Sequence, residues 1–471
     1  MPKNRTTDLL TGVIEGFYGQ PWTQAERLTL FNWMAAWGLN TYLYAPKDDL
    51  KHRALWRESY FESEAEPLGA LIQASKSHGI RLIYALSPGL DIRYSNEADL
   101  DHLKKRFQQM MTMGCQDFAL LFDDIPDRIH PVDGERFGSF ASAQCHVANV
   151  MFQWVRERCS DARFLFCPTP YCGRMAQREL GGPGYLSIVG HELSPEIDVF
   201  WTGPEIISSE ITVEHVRELE ILLRRKPLIW DNLYANDYDG RRFFCGPYSG
   251  RPPELRSMVS GLLCNPNNEF PLNYAPLHTF GAFVRSKEPW DARNAYLSAL
   301  QEWLPQFATI GPPINLEDLI FFCDCYYLPR EEGPESKAFF ECVRSLLSGN
   351  SPKPDNQIAE FNRQAARLRE FCLRVTELRN RPLFYALSRR IWELREELDL
   401  LERYVEFISK GGHPIGLFNS DSHLPGTYRG GMVPRLQHLL DQHPDGAFTP
   451  AYVTKALQSG EKSSQPRGVA S

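Results

Sequence analysis

Eight short, mostly apolar runs constrain the fold of this chain more than any other feature, because a stretch with helical periodicity separates each run from the next. Continuous apolar strands are typical of a parallel sheet that is covered on both faces. Eight strand–helix units over about 270 residues are the number and length of a (β/α)8 barrel. A doubly wound open sheet is the alternative that the alternation leaves open. The runs lie at residues 12–15, 41–44, 81–85, 118–122, 164–166, 199–201, 228–230 and 261–264.

A helical part follows the predicted barrel. No further strand pattern occurs from about residue 289 to 410, and residues 358–377 and 383–408 carry long helical patterns. In the second pattern, aliphatic residues recur three and four positions apart, which predicts a stripe that packs against another helix. We therefore assign residues 1–288 to a barrel domain, 289–450 to an α-helical stalk or bundle domain, and 451–471 to a disordered tail. The stripe consists of Leu387, Ile391, Leu394, Leu398, Leu401 and Val405.

The charge balance argues against two classes of partner. Lys and Arg number 51 against 59 Asp and Glu, so the net charge is −8. Nucleic acids and anionic membranes are bound through basic surfaces, and neither is predicted to bind here. No run is long enough to span a bilayer, and no apolar leader follows Met1. The 11 scattered cysteines form no CxxC pair, which is typical of reduced thiols, and we predict a cytoplasmic protein.

Polar and aromatic residues follow the predicted strands at their carboxyl ends. In a barrel of this type those ends meet at one face, where active sites are built. Amide, carboxylate and hydroxyl groups interleaved with aromatic rings are suited to a neutral ligand rich in hydroxyls, such as a sugar. The candidates that this pattern selects are Gly16, Lys47, Asp123, Asp124, Tyr171, Trp201, Trp230, Asn232, Asp237 and Asn265.

Asp123 and Asp124 are the sharpest feature at this face, because two adjacent carboxylates follow the apolar run 118–122. Like charges in a confined pocket do not both ionise easily, so one group can hold a proton near neutral pH while its neighbour stays charged. Such a pair is typical of acid–base catalysis. A turn or helix cap, or half of a magnesium site completed by Asp48 and Asp49, are the alternatives.

The other candidates also have two interpretations. Lys47 can pair with a carboxylate or lie on the surface, and Tyr171 and Trp230 can line a sugar site or fill the barrel rim. The side chains of Asn232, Asp237 and Asn265 can bind hydroxyl groups, but in loops such residues often satisfy backbone groups instead. The residue types alone do not decide between these interpretations.

Several runs at these strand ends resemble the O-GlcNAcase family, the β-N-acetylglucosaminidases of glycoside hydrolase family 84. They are Gly-Val-Ile-Glu-Gly-Phe-Tyr-Gly-Gln-Pro-Trp at 12–22, Asn-Thr-Tyr-Leu-Tyr-Ala-Pro-Lys-Asp-Asp at 40–49, Leu-Leu-Phe-Asp-Asp-Ile at 120–125, Trp-Asp-Asn-Leu-Tyr-Ala-Asn-Asp-Tyr-Asp at 230–239 and Leu-Cys-Asn-Pro-Asn at 263–267. These runs occur in the same order as in the family, and together they extend along the whole predicted barrel. Residues 323–329 and 428–431 are similar to the stalk domain of the animal enzyme.

The resemblance implies a retaining hydrolase of terminal β-linked GlcNAc in which the 2-acetamido group of the substrate is the nucleophile and an oxazoline is the intermediate. It assigns the acceptor of the acetamide N–H to Asp123 and the acid–base group to Asp124. Tyr171 and Trp230 are then expected to enclose the N-acetyl group. The remaining candidates are expected to bind sugar hydroxyls and the acetamide: the Gly16 backbone, Lys47, Asn232, Asp237 and Asn265.

The resemblance also implies a homodimer formed through the helical domain, with no cofactor and no metal. The substrate is expected to be a glycoprotein, a glycopeptide or a small glycoside that carries GlcNAc. A hyaluronidase-like glycosidase acting on a GlcNAc-containing polysaccharide is one alternative function. A non-catalytic GlcNAc-binding protein and a metal-dependent hydrolase are two others.

Overall fold

The computed structural model of the chain describes residues 9–240, 242–287, 289–347, 354–410, 418–419, 439–443 and 447–451. Eight parallel strands close into a barrel in sequence order, and the last strand pairs with the first, Gly261 opposite Leu10. The predicted (β/α)8 barrel is therefore confirmed, and the open sheet is excluded. The strands are β1 (Leu10–Glu15), β2 (Thr41–Tyr44), β3 (Arg81–Leu86), β4 (Asp117–Leu121), β5 (Phe164–Cys167), β6 (Asp198–Trp201), β7 (Leu228–Asp231) and β8 (Gly261–Cys264).

Helices lie between the strands, and their ends carry sequence signals. Thr23 and Glu26 form a capping box at the start of the first helix, and Gly38 ends it in the left-handed conformation that favours glycine. The helices of this part are α1 (Gln24–Trp37), α2 (Glu62–Ser77), α3 (Glu97–Thr112), α4 (Pro131–Phe137), α5 (Phe140–Arg156), α6 (Gly173–Gln177), α7 (Tyr185–Glu192), α8 (Val213–Leu223), α9 (Leu255–Met258) and α10 (Tyr274–Arg285).

The barrel interior is a packed apolar core. Side chains from alternate positions of the strands fill it, among them Ile14, Leu43, Ile83, Leu165 and Leu263, each fully buried. Because the interior is filled, a ligand has access to the barrel only from its ends. The carboxyl ends of the strands therefore become the place to look for a site.

The remaining helices form a second compact unit. The described residues of Met1–Tyr238 and Pro247–Tyr296 make up the barrel unit, and those of Asp239–Gly246 and Leu297–Ser471 make up the helical unit. The barrel-domain boundary at residue 288 stays a prediction. The helices that follow the barrel are α11 (Ala292–Trp303), α12 (Leu316–Asp324), α13 (Pro334–Leu347), α14 (Asp355–Val375) and α15 (Arg381–Ser409).

The aliphatic stripe on α15 is buried against α14, so it forms a seam within the helical unit. Arg369 of α14 adds ion pairs to Asp399 and Glu402 of α15. Three short strands, which the sequence pattern did not reveal, form a small antiparallel sheet in which β11 (Ala447–Pro450) lies between β10 (Leu440–Gln442) and β9 (Phe418–Asn419). Residues 428–431, part of the resemblance, and the predicted tail from 452 onward lie outside the described residues.

Two further observations concern the chain as a whole. All 11 cysteines lie in the described part and carry free thiols. Of the helices that the structure describes, none combines the length and the apolar character needed to cross a bilayer.

Candidate active site

All ten candidate residues lie at the carboxyl ends of the barrel strands. Trp201 ends β6, is buried and donates its indole N–H to His215 at 2.8 Å, so it takes no part in the contacts that join the other nine. Gly16 directly follows β1, Asn232 follows β7 and Asn265 follows β8, while Trp230 is a residue of β7 itself. The others lie two to six residues beyond a strand: Lys47 after β2, Asp123 and Asp124 after β4, Tyr171 after β5 and Asp237 after β7. A chain of direct contacts joins them into a single site.

Asp123 and Lys47 form a buried ion pair. The Lys47 ammonium donates a hydrogen bond to Oδ2 of Asp123, and the two side chains are 2% and 9% exposed. Burial raises the pKa of Asp123, but the charge and hydrogen bond of Lys47 and the charge of Arg53 outweigh burial, so the pKa lies below its ordinary value. Asp123 is therefore a carboxylate at neutral pH.

The second oxygen of Asp123 has no hydrogen-bond partner among the described residues, although it is buried. Oδ1 of Asn265 is also buried and has no hydrogen-bond partner among the described residues. Buried acceptors are rarely left unpaired, because each one loses its hydrogen bonds to water on folding. Two buried acceptors with free lone pairs are thus ready to receive N–H or O–H donors from a ligand.

Asp124 has a different environment from its neighbour. Its side chain is exposed to solvent, and its backbone adopts a left-handed φ of 50°, which residues other than glycine seldom do. Two phenol groups donate to its carboxylate: Tyr171 to Oδ1 at 2.7 Å and Tyr18 to Oδ2 at 3.0 Å. The pair at 123–124 therefore consists of one enclosed carboxylate and one at the mouth of the site.

Trp230 forms a wall beside the buried pair. The Lys47 ammonium lies 5.9 Å from the centre of its ring, within the range of a cation–π contact. Gly16 lies against the same ring, where a Cβ atom would approach Trp230 to 2.6 Å. Only glycine fits at position 16, because any side chain there would displace the indole.

Hydrogen bonds that involve Asn232 and Asn265 fix the orientation of the Trp230 indole. Its Nε1 donates to Oδ1 of Asn232 at 3.0 Å, and Nδ2 of Asn265 donates to the same oxygen at 2.9 Å. The amide nitrogen of Asn232 donates to the carbonyl of Ile206 at 2.8 Å. Asn232 is therefore used to hold its neighbours, whereas Asn265 presents its free oxygen.

A buried ion pair between Arg251 and Asp231 stabilises the carboxyl end of β7. Arg251 donates to both oxygens of Asp231 at 2.7 Å, and its remaining donors bind the carbonyls of Ser208 and Ser209. The hydroxyl of Tyr248 also donates to Asp231 at 2.7 Å. Because Asp231 immediately precedes Asn232, this cluster holds the amide in place.

Asp237 reaches the site through Tyr18. One of its carboxylate oxygens accepts the backbone N–H of Tyr18 at 3.0 Å. Burial raises the pKa of Asp237, and its backbone hydrogen bonds oppose that effect only in part. The half-buried carboxylate thus anchors the loop whose tyrosine contacts Asp124.

Sequence reasoning missed two residues of this site, Tyr18 and Arg53. Tyr18 lies in the run that follows β1, and its position at a strand end was a usable signal. Arg53 lies nine residues beyond β2, where no strand-end pattern points to it. Its guanidinium donates to the backbone carbonyl of Asp124 at 2.6 Å.

The magnesium alternative required Asp48 and Asp49 to join the Asp pair. Instead Asp48 accepts the backbone N–H of Gly19, and Asp49 accepts the hydroxyls of Tyr44 and Tyr60. Within the described ranges, no three His, Cys, Asp or Glu side chains are grouped as metal ligands. Both residues have structural roles in the loop that carries Lys47.

Comparison with known proteins agrees with the resemblance. Residues 11–310 match the beta-N-acetylglucosaminidase family. Over 309 residues, which are 66% of this chain, the sequence is 48% identical to the protein O-GlcNAcases of Rattus norvegicus and Mus musculus. The match covers 33% of each of those proteins, so the chain spans about a third of the length of these curated relatives.

A solved structure extends the similarity beyond the barrel sequence. An Asp-to-Asn mutant of the Thermobaculum terrenum O-GlcNAc hydrolase matches with a TM-score of 0.73 at 30% identity, over 85% of this chain and 86% of that one. Together with the barrel, these similarities place the chain among the glycoside hydrolase families. The chain belongs to the beta-N-acetylglucosaminidase family. The predicted family membership is confirmed.

Proposed function

We propose that this chain is a retaining exo-β-N-acetylglucosaminidase that removes terminal β-linked GlcNAc, including O-GlcNAc on Ser or Thr of proteins. The observation that carries the proposal is the buried, ionised Asp123 with its unpaired Oδ1 beside the solvent-exposed Asp124. One carboxylate is arranged to accept a hydrogen bond from a bound ligand, and the other is arranged to exchange protons at the mouth of the site.

In the first step, the acetamide N–H of the substrate donates to Oδ1 of Asp123. The acetamide oxygen attacks the anomeric carbon while the bond from that carbon to the glycosidic oxygen breaks. Asp124 gives its proton to the departing oxygen, and an oxazoline forms. Positive charge on the oxazoline is stabilised by the Asp123 carboxylate, which Lys47 keeps ionised.

In the second step, Asp124 takes a proton from a water molecule, which attacks the anomeric carbon and opens the oxazoline. The product is GlcNAc with its β configuration retained, and Asp124 is protonated again. A tethered nucleophile has an effective molarity of about 10⁵–10⁸ M, so holding the acetamide in position accounts for much of the rate.

The remaining residues of the site recognise the sugar in this proposal. Tyr171 and Trp230 enclose the N-acetyl group. The free side-chain oxygen of Asn265 accepts a hydrogen bond from a sugar hydroxyl, and Asp237 and the Gly16 backbone bind further hydroxyls. Asn232, whose side-chain oxygen accepts from Trp230 and Asn265, contacts the ligand beside these two residues.

The test is hydrolysis of an aryl β-N-acetylglucosaminide, with the matching β-glucoside as control. We expect turnover of the first and none of the second, because the β-glucoside has no internal nucleophile. NMR of the initial product should show the β anomer, and EDTA should leave the rate unchanged. Cleavage of both glycosides would mean that an enzyme side chain is the nucleophile, and cleavage of neither would favour a GlcNAc-binding protein.

We also propose that the protein is a cytoplasmic homodimer that forms through its helical unit. The similarity of residues 323–329 to the stalk of the animal enzyme supports this proposal. Light scattering at micromolar concentration should give twice the chain mass of 54.0 kDa. A monomeric mass would contradict it.

A further inference from the structure

Arg53 is a buried, positively charged residue that contacts Asp124, the proposed acid–base residue. Its side chain belongs to the loop after β2, and the residue is 8% exposed. Nη2 donates to the backbone carbonyl oxygen of Asp124 at 2.6 Å. Asp124 is one of three non-glycine residues with a left-handed φ in the described part of the chain. Arg53 therefore binds the backbone carbonyl of a residue in the left-handed region, which residues other than glycine seldom adopt.

A second contact of Arg53 leads to the side chain of Asp124. The guanidinium carbon lies 5.7 Å from the centre of the Tyr18 ring, and the Tyr18 hydroxyl donates to Oδ2 of Asp124 at 3.0 Å. The tyrosine is held in turn by its backbone, because Asp237 accepts its N–H and Asn268 donates to its carbonyl at 2.5 Å. Arg53 thus makes two contacts that help to hold Asp124 in place. One is with the backbone carbonyl of Asp124, and the other is with the ring of Tyr18.

The charge of Arg53 is not used for an ion pair. None of the described carboxylates lies within ion-pairing distance of it, and its Nη1 is buried without a hydrogen-bond partner. Buried arginines are usually paired with carboxylates, because desolvating an unpaired guanidinium is unfavourable. Nearby Arg57, which is partly exposed, forms ion pairs to Asp91 and Asp99 at 2.6 and 2.8 Å. Among the described residues, the hydrogen bond of Arg53 goes to the Asp124 carbonyl, which points to a role in the site that it contacts.

We propose that Arg53 is a positioning residue that holds the left-handed turn at Asp124, so that the Asp124 carboxyl group faces the glycosidic oxygen of the substrate. This inference rests on the proposed function, in which Asp124 is the acid and the base. Without Arg53 the carbonyl of Asp124 loses its donor, and the backbone at Asp124 is free to relax from the left-handed region toward a more common conformation. The carboxyl group then moves away from the position needed for proton transfer.

The proposal makes a prediction about leaving groups. A displacement of about 1 Å in a reacting group can cost about 100-fold in rate. Proton transfer to the leaving group matters only where that group departs poorly. We expect Arg53→Met to lower kcat/KM about 10- to 100-fold for an aryl β-N-acetylglucosaminide with a weakly acidic phenol. For a dinitrophenyl leaving group the loss should be less than about threefold.

Two further variants separate positioning from a general effect on folding. Arg53→Lys keeps a donor near the Asp124 carbonyl and should recover most of the lost rate on the poor leaving group. Arg57→Met, on the same loop, removes an arginine whose ion pairs lie outside the site, and the ratio of the two rates should stay that of the wild type. Thermal unfolding of each variant reports whether it is folded, and Arg53→Lys serves where Arg53→Met does not fold.

Equal losses on both leaving groups would overturn the proposal, since Arg53 would then act on the nucleophile through the charge of Asp123 or on the fold as a whole. An unchanged rate on both would overturn it too. If the wild type cleaved neither glycoside, the proposed function would fail, and a crystal structure of Arg53→Met would decide the structural claim by itself. A turned peptide at 124 would support it, and an unchanged left-handed φ would contradict it.

Discussion

Replacing Asp124 with Asn is expected to lower kcat/KM about 10²- to 10⁴-fold for a glycoside with a poor leaving group, the range that a positioned general acid contributes. The amide cannot donate the proton that the glycosidic oxygen needs. One of the two phenols, Tyr18 or Tyr171, can still donate to the amide oxygen, and the other can accept from the amide nitrogen, so the side chain should keep its place. The measurement is kcat/KM over a series of aryl β-N-acetylglucosaminides whose phenols differ in acidity.

For the Asp124→Asn variant the loss should shrink as the leaving phenol becomes more acidic. Asp127→Asn is the matched control, because Asp127 lies three residues further along in the same loop and is exposed to solvent. It should behave as the wild type. A loss in Asp124→Asn that does not depend on the phenol would show that Asp124 acts on something other than the leaving group.

Replacing Asp123 with Asn should affect both activity and stability. In the proposed mechanism the uncharged amide cannot stabilise the positive charge of the oxazoline, and loss of such an electrostatic stabiliser typically costs about 10²- to 10³-fold in rate. Because the acetamide would be the nucleophile for every substrate in that mechanism, the loss should be similar for poor and activated leaving groups. That uniformity distinguishes this variant from Asp124→Asn in the same series of glycosides.

The effect of Asp123→Asn on stability comes from Lys47, which is left as a buried charge without its counter-ion. Removing one partner of a buried ion pair typically costs about 3–5 kcal/mol. Urea unfolding should therefore show a lower free energy of unfolding for the single variant. In the double variant with Lys47→Met most of the stability should return, while the activity should stay low.

If Asp123→Asn were as stable as the wild type and equally active, Asp123 would have neither role. If the double variant regained activity together with stability, the loss in the single variant would have been a folding defect. Each outcome is read from two independent measurements on the same preparations, which keeps the catalytic claim separate from the structural one.

The barrel and its open face were predictable because they depend on local patterns. Eight apolar runs at near-regular spacing specify parallel strands, and parallel strands joined by helices bring all their carboxyl ends to one face. Residues such as Lys47, Asp123 and Asn265, which are far apart in sequence, could therefore be assigned to one site before any coordinate was known. Family motifs at those ends added the roles proposed for them.

Other features depend on contacts between loops, which no local pattern encodes. The hydrogen bond from Arg53 to the carbonyl of Asp124 joins residues 71 positions apart. Tyr18 meets Asp124 across 106 positions, and its choice of partner depends on how Asp237 and Asn268 fasten its backbone. The three short strands after residue 417 were missed for a similar reason, because strands of two to four residues carry too little periodicity to detect.

The sequence by itself determined the fold class, the family and the identity of the paired carboxylates, since each of these is carried by residue types at fixed spacings. Only the tertiary structure decided which carboxylate is enclosed by Lys47 and which is open to solvent, although the two are adjacent in the chain. Burial, the nearest charge and the backbone φ set the state of each carboxyl group. These properties arise from residues that folding brings together from distant parts of the barrel.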